Sequence, residues 1–326
     1  MVLTGLTVAV VALLGYGLCS FWTLSQLNRN LDEWIGRHVA DGWSVSLGEI
    51  KPALFFDHVS LKVPNPKIST PYFEWKGDLL SVSQYFFDPG HAKLVLTGPN
   101  HVAFAGNELA IIASPIRIEM RLSGSGGALK ALHATANDLQ AIASDKSALF
   151  AQALGLSLTA LNDGAPYTKP WAQILATGAG LTYKSSPEAP PNQIAVAEFS
   201  GAVMGAPSSR SLIAALTQWS TAGGTIEVDR FKLGWPTIKV EGDGTIAFDH
   251  LLQPIAAFGA HIQGFPSLVE MLENNASLNK SDEETLKQSI HGQVSPSIPI
   301  TFQNGKVWLG PIAIADQPQI HWPEQQ

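Results

Sequence analysis

A mainly β fold (α+β) is what the sequence predicts: an N-terminal transmembrane helix and an amphipathic stalk, then a large curved antiparallel sheet with a few packed helices. Three observations predict it. The chain opens on an uncharged run, continues in short segments of alternating hydrophobicity separated by Pro, Gly and Asn, and shows helical spacing in few later places.

The opening run, VLTGLTVAVVALLGYGLCSFW from Val2 to Trp22, carries no charge over roughly 20 residues, the length that crosses a hydrocarbon core. It reads as an uncleaved anchor, with Tyr16, Phe21 and Trp22 near an interface. A cleaved signal peptide wants a basic start and a small-x-small site, and neither is present. A lipoprotein is disfavoured because Tyr16, Gly17 and Leu18 approach Cys19 poorly. No Lys or Arg precedes the span, while Arg29 and Arg37 follow it beside Asp32 and Glu33. Taken alone, the positive-inside rule leaves the rest of the chain in the cytoplasm.

Leu24, Leu27, Leu31, Trp34, Ile35 and Val39 then recur at three- and four-residue spacing, which predicts that the helix continues as a stalk and stops near Gly42. Leu27, Leu31, Trp34 and Ile35 are the face offered to a partner; packing on the chain's own domain is the default, and lying on a bilayer is the third option. The expected organisation is an anchor over 1–24, the stalk over 25–42 and a β-rich domain over 43–326. Proline-rich stretches at 163–170 and 185–192 suggest two halves divided near 163–192.

Strand-like runs begin with SLKV (60–63), AKLVLTGP (92–99) and PIRIEMRLSG (115–124), and continue through LGLSLTAL (154–161), QIAVAEFSG (193–201) and TIEVDRFKLGW (225–235) to the C-terminal SIPITFQNGKVWLGPIAI (297–314). Helical spacing returns in SSRSLIAALTQWSTAGG (208–224), and in a pair at 265–275 and 281–292, the second opening on acids suited to a helix N-terminus.

The segment TIKVEGDGTIAFD, residues 237–249, sets the functional question. Ile238, Val240, Ile246 and Phe248 share one parity with Gly242 and Gly244, and the polar residues take the other. The next run places Phe258 and Ile262 on a matching parity, making a hairpin with one apolar face. Val307 and Leu309 are candidates for a neighbouring strand. The glycines remove side chains where the sheet would be crowded, letting it bend or admit something close. The cover is either the domain's own helices or an acyl chain; these eight apolar residues are the lipid-facing candidates.

Composition narrows the chemistry. Only 14% of residues are charged, against roughly 25% in ordinary soluble domains, and mean hydropathy is +0.11. The net charge of −7, with no basic cluster, argues against nucleic acid. One cysteine, Cys19, permits neither an intrachain disulfide nor a cysteine metal site. No nucleophile elbow, phosphate loop, zinc-protease motif or dinucleotide fingerprint occurs, and nine histidines are scattered without ligand spacing. Asp243 and Asp249 would stand about 20 Å apart along a strand, too far for a carboxylate dyad. The expectation is a non-catalytic protein without catalytic residues, metal or cofactor.

The run from Gln218 to Phe265 with the later FQNGKVWLGPIAI resembles the C-terminal signature of an uncharacterised bacterial envelope family, domain of unknown function 2125, and LDEWIGRHVADGWSVS is similar to its opening. More distantly the chain resembles AsmA-type lipid-transport proteins. The resemblance implies a single-pass bacterial inner-membrane protein with its globular domain in the periplasm, a location at odds with the charge pattern around the span. Membrane lipids are the expected partners of a β-groove that handles lipid or maintains the cell envelope. The alternative is an accessory or scaffold subunit of a larger inner-membrane protein complex.

Overall fold

The computed structural model describes residues 2–70, 73–104, 107–123, 128–207, 212–274, 280–289, 295–317, 319–320 and 322. The chain divides into two compact units, Met1–Asp145 and Lys146–Gln326.

Unit 1 starts with a single helix, α1 (Val2–Ala40), ended by Gly42 at φ 85°. The expected span falls largely on residues 2–18, whose side chains lie outside the described residues; among the described residues no helix is long and apolar enough to cross a membrane. Nine described strands follow: β1 (Ser44–Ser46), β2 (Lys51–Leu54), β3 (His58–Pro64), β4 (Lys67–Ser69), β5 (Phe73–Tyr85), β6 (His91–Phe104), β7 (Asn107–Ile112), β8 (Ile116–Leu122) and β9 (Leu129–Ala143). All their pairings are antiparallel, with β5 between β3/β4 and β6, and β6 facing β7 and β8, which in turn face β9.

A crease crosses these strands at one level. The β3–β4 line breaks at Asn65, β5 shifts register between Gly77 and Leu79 against Gly98 of β6, the β7–β8 line breaks around Ser114, and β9 bends at Asp138. Asn65 and Asp138 take the left-handed φ values of 46° and 49° that Asn and Asp tolerate best after glycine. Gly98, at φ 83°, has no alternative, since a Cβ there would collide with Asp78. Hydrogen bonds lace the crease: Asn65 N–H donates to Asp78 O at 2.8 Å and Ser114 Oγ to Asp138 Oδ2 at 3.1 Å.

Unit 2 is a meander of β10 (Ala148–Ala160), β11 (Pro170–Lys184), β12 (Asn192–Met204), β13 (Ile226–Gly234), β14 (Lys239–Phe248), β15 (Pro254–Gln263), β16 (Ser297–Gln303), β17 (Lys306–Leu309) and β18 (Ile312–Asp316), each antiparallel to the next. Helix α2 (Leu212–Thr221) interrupts it between β12 and β13, and α3 (Phe265–Asn274) and α4 (Lys280–Ser289) between β15 and β16. The fold class is therefore mainly antiparallel β with few helices. The division expected near 163–192 falls instead at 145/146. Both proline-rich stretches are connections between strands, β10 to β11 and β11 to β12, that pair along their length, so contact runs across them and cannot mark a boundary.

Candidate functional site

Strand register assembles the apolar parity into one face. Gly242, Gly244 and Ile246 of β14 stand opposite Ala260, Phe258 and Ala256 of β15, and Phe258 opposite Ile300 of β16, which faces Leu309 of β17. In the other direction Ile226, Val228, Phe231 and Leu233 continue the face onto β13, then Val203, Gly201, Phe199 and Ala197 onto β12. Ile174 and Ala176 carry it to β11, and Leu158 and Leu156 to β10. The opposite face over β12 to β14 carries the charges, with Arg230 3.6 Å from Glu241 and Lys232 4.0 Å from Glu198. Alternation of this kind is what an antiparallel sheet shows when one side is dry.

Helices roof the two ends of that face. At one end Phe265, Leu268, Val269 and Leu272 of α3 and Leu286 of α4 pack with Ile238, Val240, Ile262, Ile298, Leu309 and Ile312. Four of the eight lipid-facing candidates, Ile238, Val240, Ile262 and Leu309, are thus buried in the unit's own core. At the other end α2 holds Trp219 over Phe248 with ring centroids 6.2 Å apart. The indole Nε1 donates to Met204 O at 2.8 Å and to Gly205 O at 3.1 Å, and Ser220 Oγ donates to Phe248 O at 2.7 Å. Ile246, Phe248, Phe258 and Val307 are half-buried, and Leu156 on β10 is 43% exposed.

The glycine pair has a definite occupant. A Cβ on Gly242 would collide with the Phe231 ring and Gly259 O, and one on Gly244 with the Phe258 ring and Ala257 O. Phe231 and Phe258 meet edge to face at 5.1 Å, and Phe258 meets Phe302 at 6.1 Å. The space that the sequence leaves at the glycines is filled by the sheet's own rings, an aromatic-over-glycine arrangement that pins register. Two surface depressions, about 430 Å³ along Ala214, Thr217 and Gln218 of α2 and about 410 Å³ along Leu24, Asn28 and Asp32 of α1, include none of the eight candidates.

The stalk stripe has an intramolecular partner. Leu27 and Leu31 pack with Val59 and Leu61 of β3, Val82 of β5 and Phe86. Trp34 lies edge to face with Trp43 at 6.1 Å and 4.3 Å from the His38 ring, and Ile35 is half-buried.

Unit 1 also gathers groups that the scattered histidines did not advertise. The rings of Phe55 and His58 stack at 4.5 Å, His58 and Tyr85 lie 5.4 Å apart, and Tyr85 stacks on His91 at 4.8 Å. His58 Nδ1 is 2.6 Å from Asp57 Oδ1, and that hydrogen bond holds the Asp57 carboxyl below its ordinary range. Burial, and then the charges of Asp57 and Glu119, push the Tyr85 phenol up. The signal was present as a repeated string, Phe-Phe-Asp before a His, at 55–58 and again at 86–91. Among the described residues no cluster of three or more metal-ligating side chains forms.

Register, roofing helices and charge partition define a class: an amphipathic antiparallel β-sheet protein with one extended apolar face. The chain belongs to the family described as uncharacterized protein conserved in bacteria (DUF2125), whose model matches residues 21–318. No curated protein and no solved structure matches it.

Proposed function

We propose that the protein is a membrane-anchored periplasmic component of the bacterial cell envelope that holds lipid acyl chains on the apolar face of unit 2, without catalysis. The observation that carries this reading is the single-parity apolar face running in register through β10 to β17, roofed by helices at its ends and half-exposed between them. Removing an acyl chain from water is favourable by about 0.8 kcal/mol per buried CH₂, so such a face needs no cofactor to retain lipid. The uncharged run from Val2 to Trp22 supports the anchor, which would hold the face near a lipid reservoir.

The test is native mass spectrometry of the full chain in mild detergent. Phospholipid-sized adducts are expected on the wild type and lost in a Leu156→Asp, Ile246→Asp variant. Leu156 is exposed enough to take a carboxylate without unfolding the sheet, whereas Phe248 is held under Trp219 and would not serve. Adducts unchanged in a folded variant would remove the face as the lipid site. Protein found lipid-free and only with fixed partner subunits would establish the accessory-subunit reading instead.

A further inference from the structure

One end of unit 1 exposes an apolar cluster that the face on unit 2 does not involve. Phe56 is 89% exposed and Phe87 is 91% exposed, each the second residue of a Phe-Phe-Asp string, with Leu54 and Phe55 beside them. Two loops carry them, β2 to β3 and β5 to β6, and the loops are tied because Phe86 N–H donates to Asp57 O at 3.1 Å. The first phenylalanine of each string is less exposed: Phe86 is buried against Leu27, and Phe55, 45% exposed, stacks on His58. Large apolar rings left this exposed at one end of a unit mark a surface suited to an apolar neighbour.

What stands behind these rings has the composition of an interface. His58, Tyr85 and His91 form a row of adjacent rings across β3, β5 and β6, flanked by Asp57 and Asp88, and Arg121 of β8 lies 3.9 Å from Asp88. Aromatic rings with polar edges under purely apolar tips match the graded polarity of the headgroup region. Both signs of charge are present, so attraction to anionic lipid is not what would drive contact.

Helix α1 leaves the sheet at this same end. Cys19, Leu24 and Leu27 pack in the cluster that contains Val59 and Phe86, while Phe21 and Trp22 point outward, 73% and 55% exposed. The chain N-terminal to Cys19 carries no charge. Its helix of seventeen residues, Val2 to Leu18, would rise roughly 26 Å, close to one hydrocarbon thickness. A bilayer that takes up this segment meets the protein at the level of Phe21, Trp22 and the two Phe-Phe loops.

We propose that this end of unit 1 is a foot that inserts Phe56 and Phe87 into the headgroup and acyl boundary of the membrane that holds α1. The proposal rests on the anchor reading above and adds a second, interfacial point of attachment, which would fix the tilt of unit 1 on the bilayer instead of leaving it on a single pivot.

The experiment uses the full chain with Cys19→Ser as background and single Phe56→Cys, Phe87→Cys or Glu108→Cys replacements, each labelled with an NBD fluorophore. Glu108 is exposed and pairs with Ala103, at the other end of β6 from His91 and roughly 40 Å away at about 3.3 Å per residue. After reconstitution into phosphatidylcholine vesicles, doxyl-labelled phosphatidylcholine is titrated in. Quenching at positions 56 and 87 several-fold greater than at 108, with blue-shifted emission insensitive to salt, is expected. Protein that floats with vesicles but is quenched no more at 56 and 87 than at 108 overturns the foot and leaves the anchor standing. Blue-shifted labels without lipid quenching overturn it in favour of a second copy or another protein on the same rings. Failure to float with vesicles overturns anchor and foot together.

Discussion

Gly244→Ala separates two physical readings of the glycine pair by the sign of its effect. If the glycines kept a groove open, an added methyl would meet space, and the lost backbone freedom of the unfolded chain would stabilise the protein by about 0.4–1 kcal/mol. The structure puts Ala257 O and the Phe258 ring where that methyl must go. A carbonyl in a paired ladder cannot swing aside as a flexible side chain can, because Thr245 and Ala257 face each other across it. Overpacking of this kind costs about 1–3 kcal/mol. For a unit of this size that lowers the melting temperature by about 3–9 °C at roughly 3 °C per kcal/mol. Gly259→Ala is the internal control: it lies on the same hairpin, opposite Asp243, and its Cβ meets nothing within 4 Å. Differential scanning calorimetry of both variants at one scan rate is the assay. A Gly244→Ala melting temperature equal to or above that of wild type would refute the filled-site reasoning and return the glycines to the role of an opening.

Two further outcomes are expected. Trp219→Phe keeps a ring over Phe248 but deletes the indole donor that Met204 O and Gly205 O share, at a cost of about 1–3 kcal/mol read from the denaturant midpoint. An unchanged midpoint would mean those carbonyls find other donors. Glu74 lies 2.5 Å from Lys76 Nζ and 3.1 Å from Lys67 Nζ, and the hydrogen bonds from Lys76 and then Lys67 lower its pKa below the ordinary 4.5. A carboxylate depressed by folding contributes stability above its unfolded pKa and loses it as pH falls through the folded value. Acid should therefore lower the melting temperature of the wild type more than that of Glu74→Gln, and equal acid sensitivity would dismiss the pair as a contributor.

Much of the fold was legible because β periodicity is local. TIKVEGDGTIAFD announced its dry side through parity alone, and the register of β14 with β15 keeps Val240, Ile246 and Phe248 on that side opposite Ile262, Ala256 and Pro254. Coverage was not legible, since it depends on which helix returns to which strand. Nothing in Ile238 or Ile262 says that α3 and α4 will bury them, whereas Ile246 on the same parity stays half-exposed. The proline-rich stretches misled for a related reason. Proline at 190–191 and at 166 and 170 reports a turn, and a turn between two long paired strands looks in sequence like a linker between domains.

The stalk and the Phe-Phe loops show the same limit from the other side. Leu27 and Leu31 were readable as an apolar stripe, yet the stripe alone could not choose between sheet, bilayer and partner helix; β3 settles it by presenting Val59 and Leu61 at the same spacing. Once α1 is tied down there, its direction is fixed, and the position of every loop at that end of unit 1 relative to the uncharged segment follows. Phe56 and Phe87 are thirty-one positions apart in the sequence, each unremarked as one aromatic near a turn. Pairing of β3 with β5 and of β5 with β6 brings their loops to a single edge, where Cys19, Leu24 and Leu27 of α1 pack in the cluster of Phe86. An edge built by two loops and a helix is carried by topology, which is why the two Phe-Phe-Asp strings are seen as neighbours only after the strands are paired.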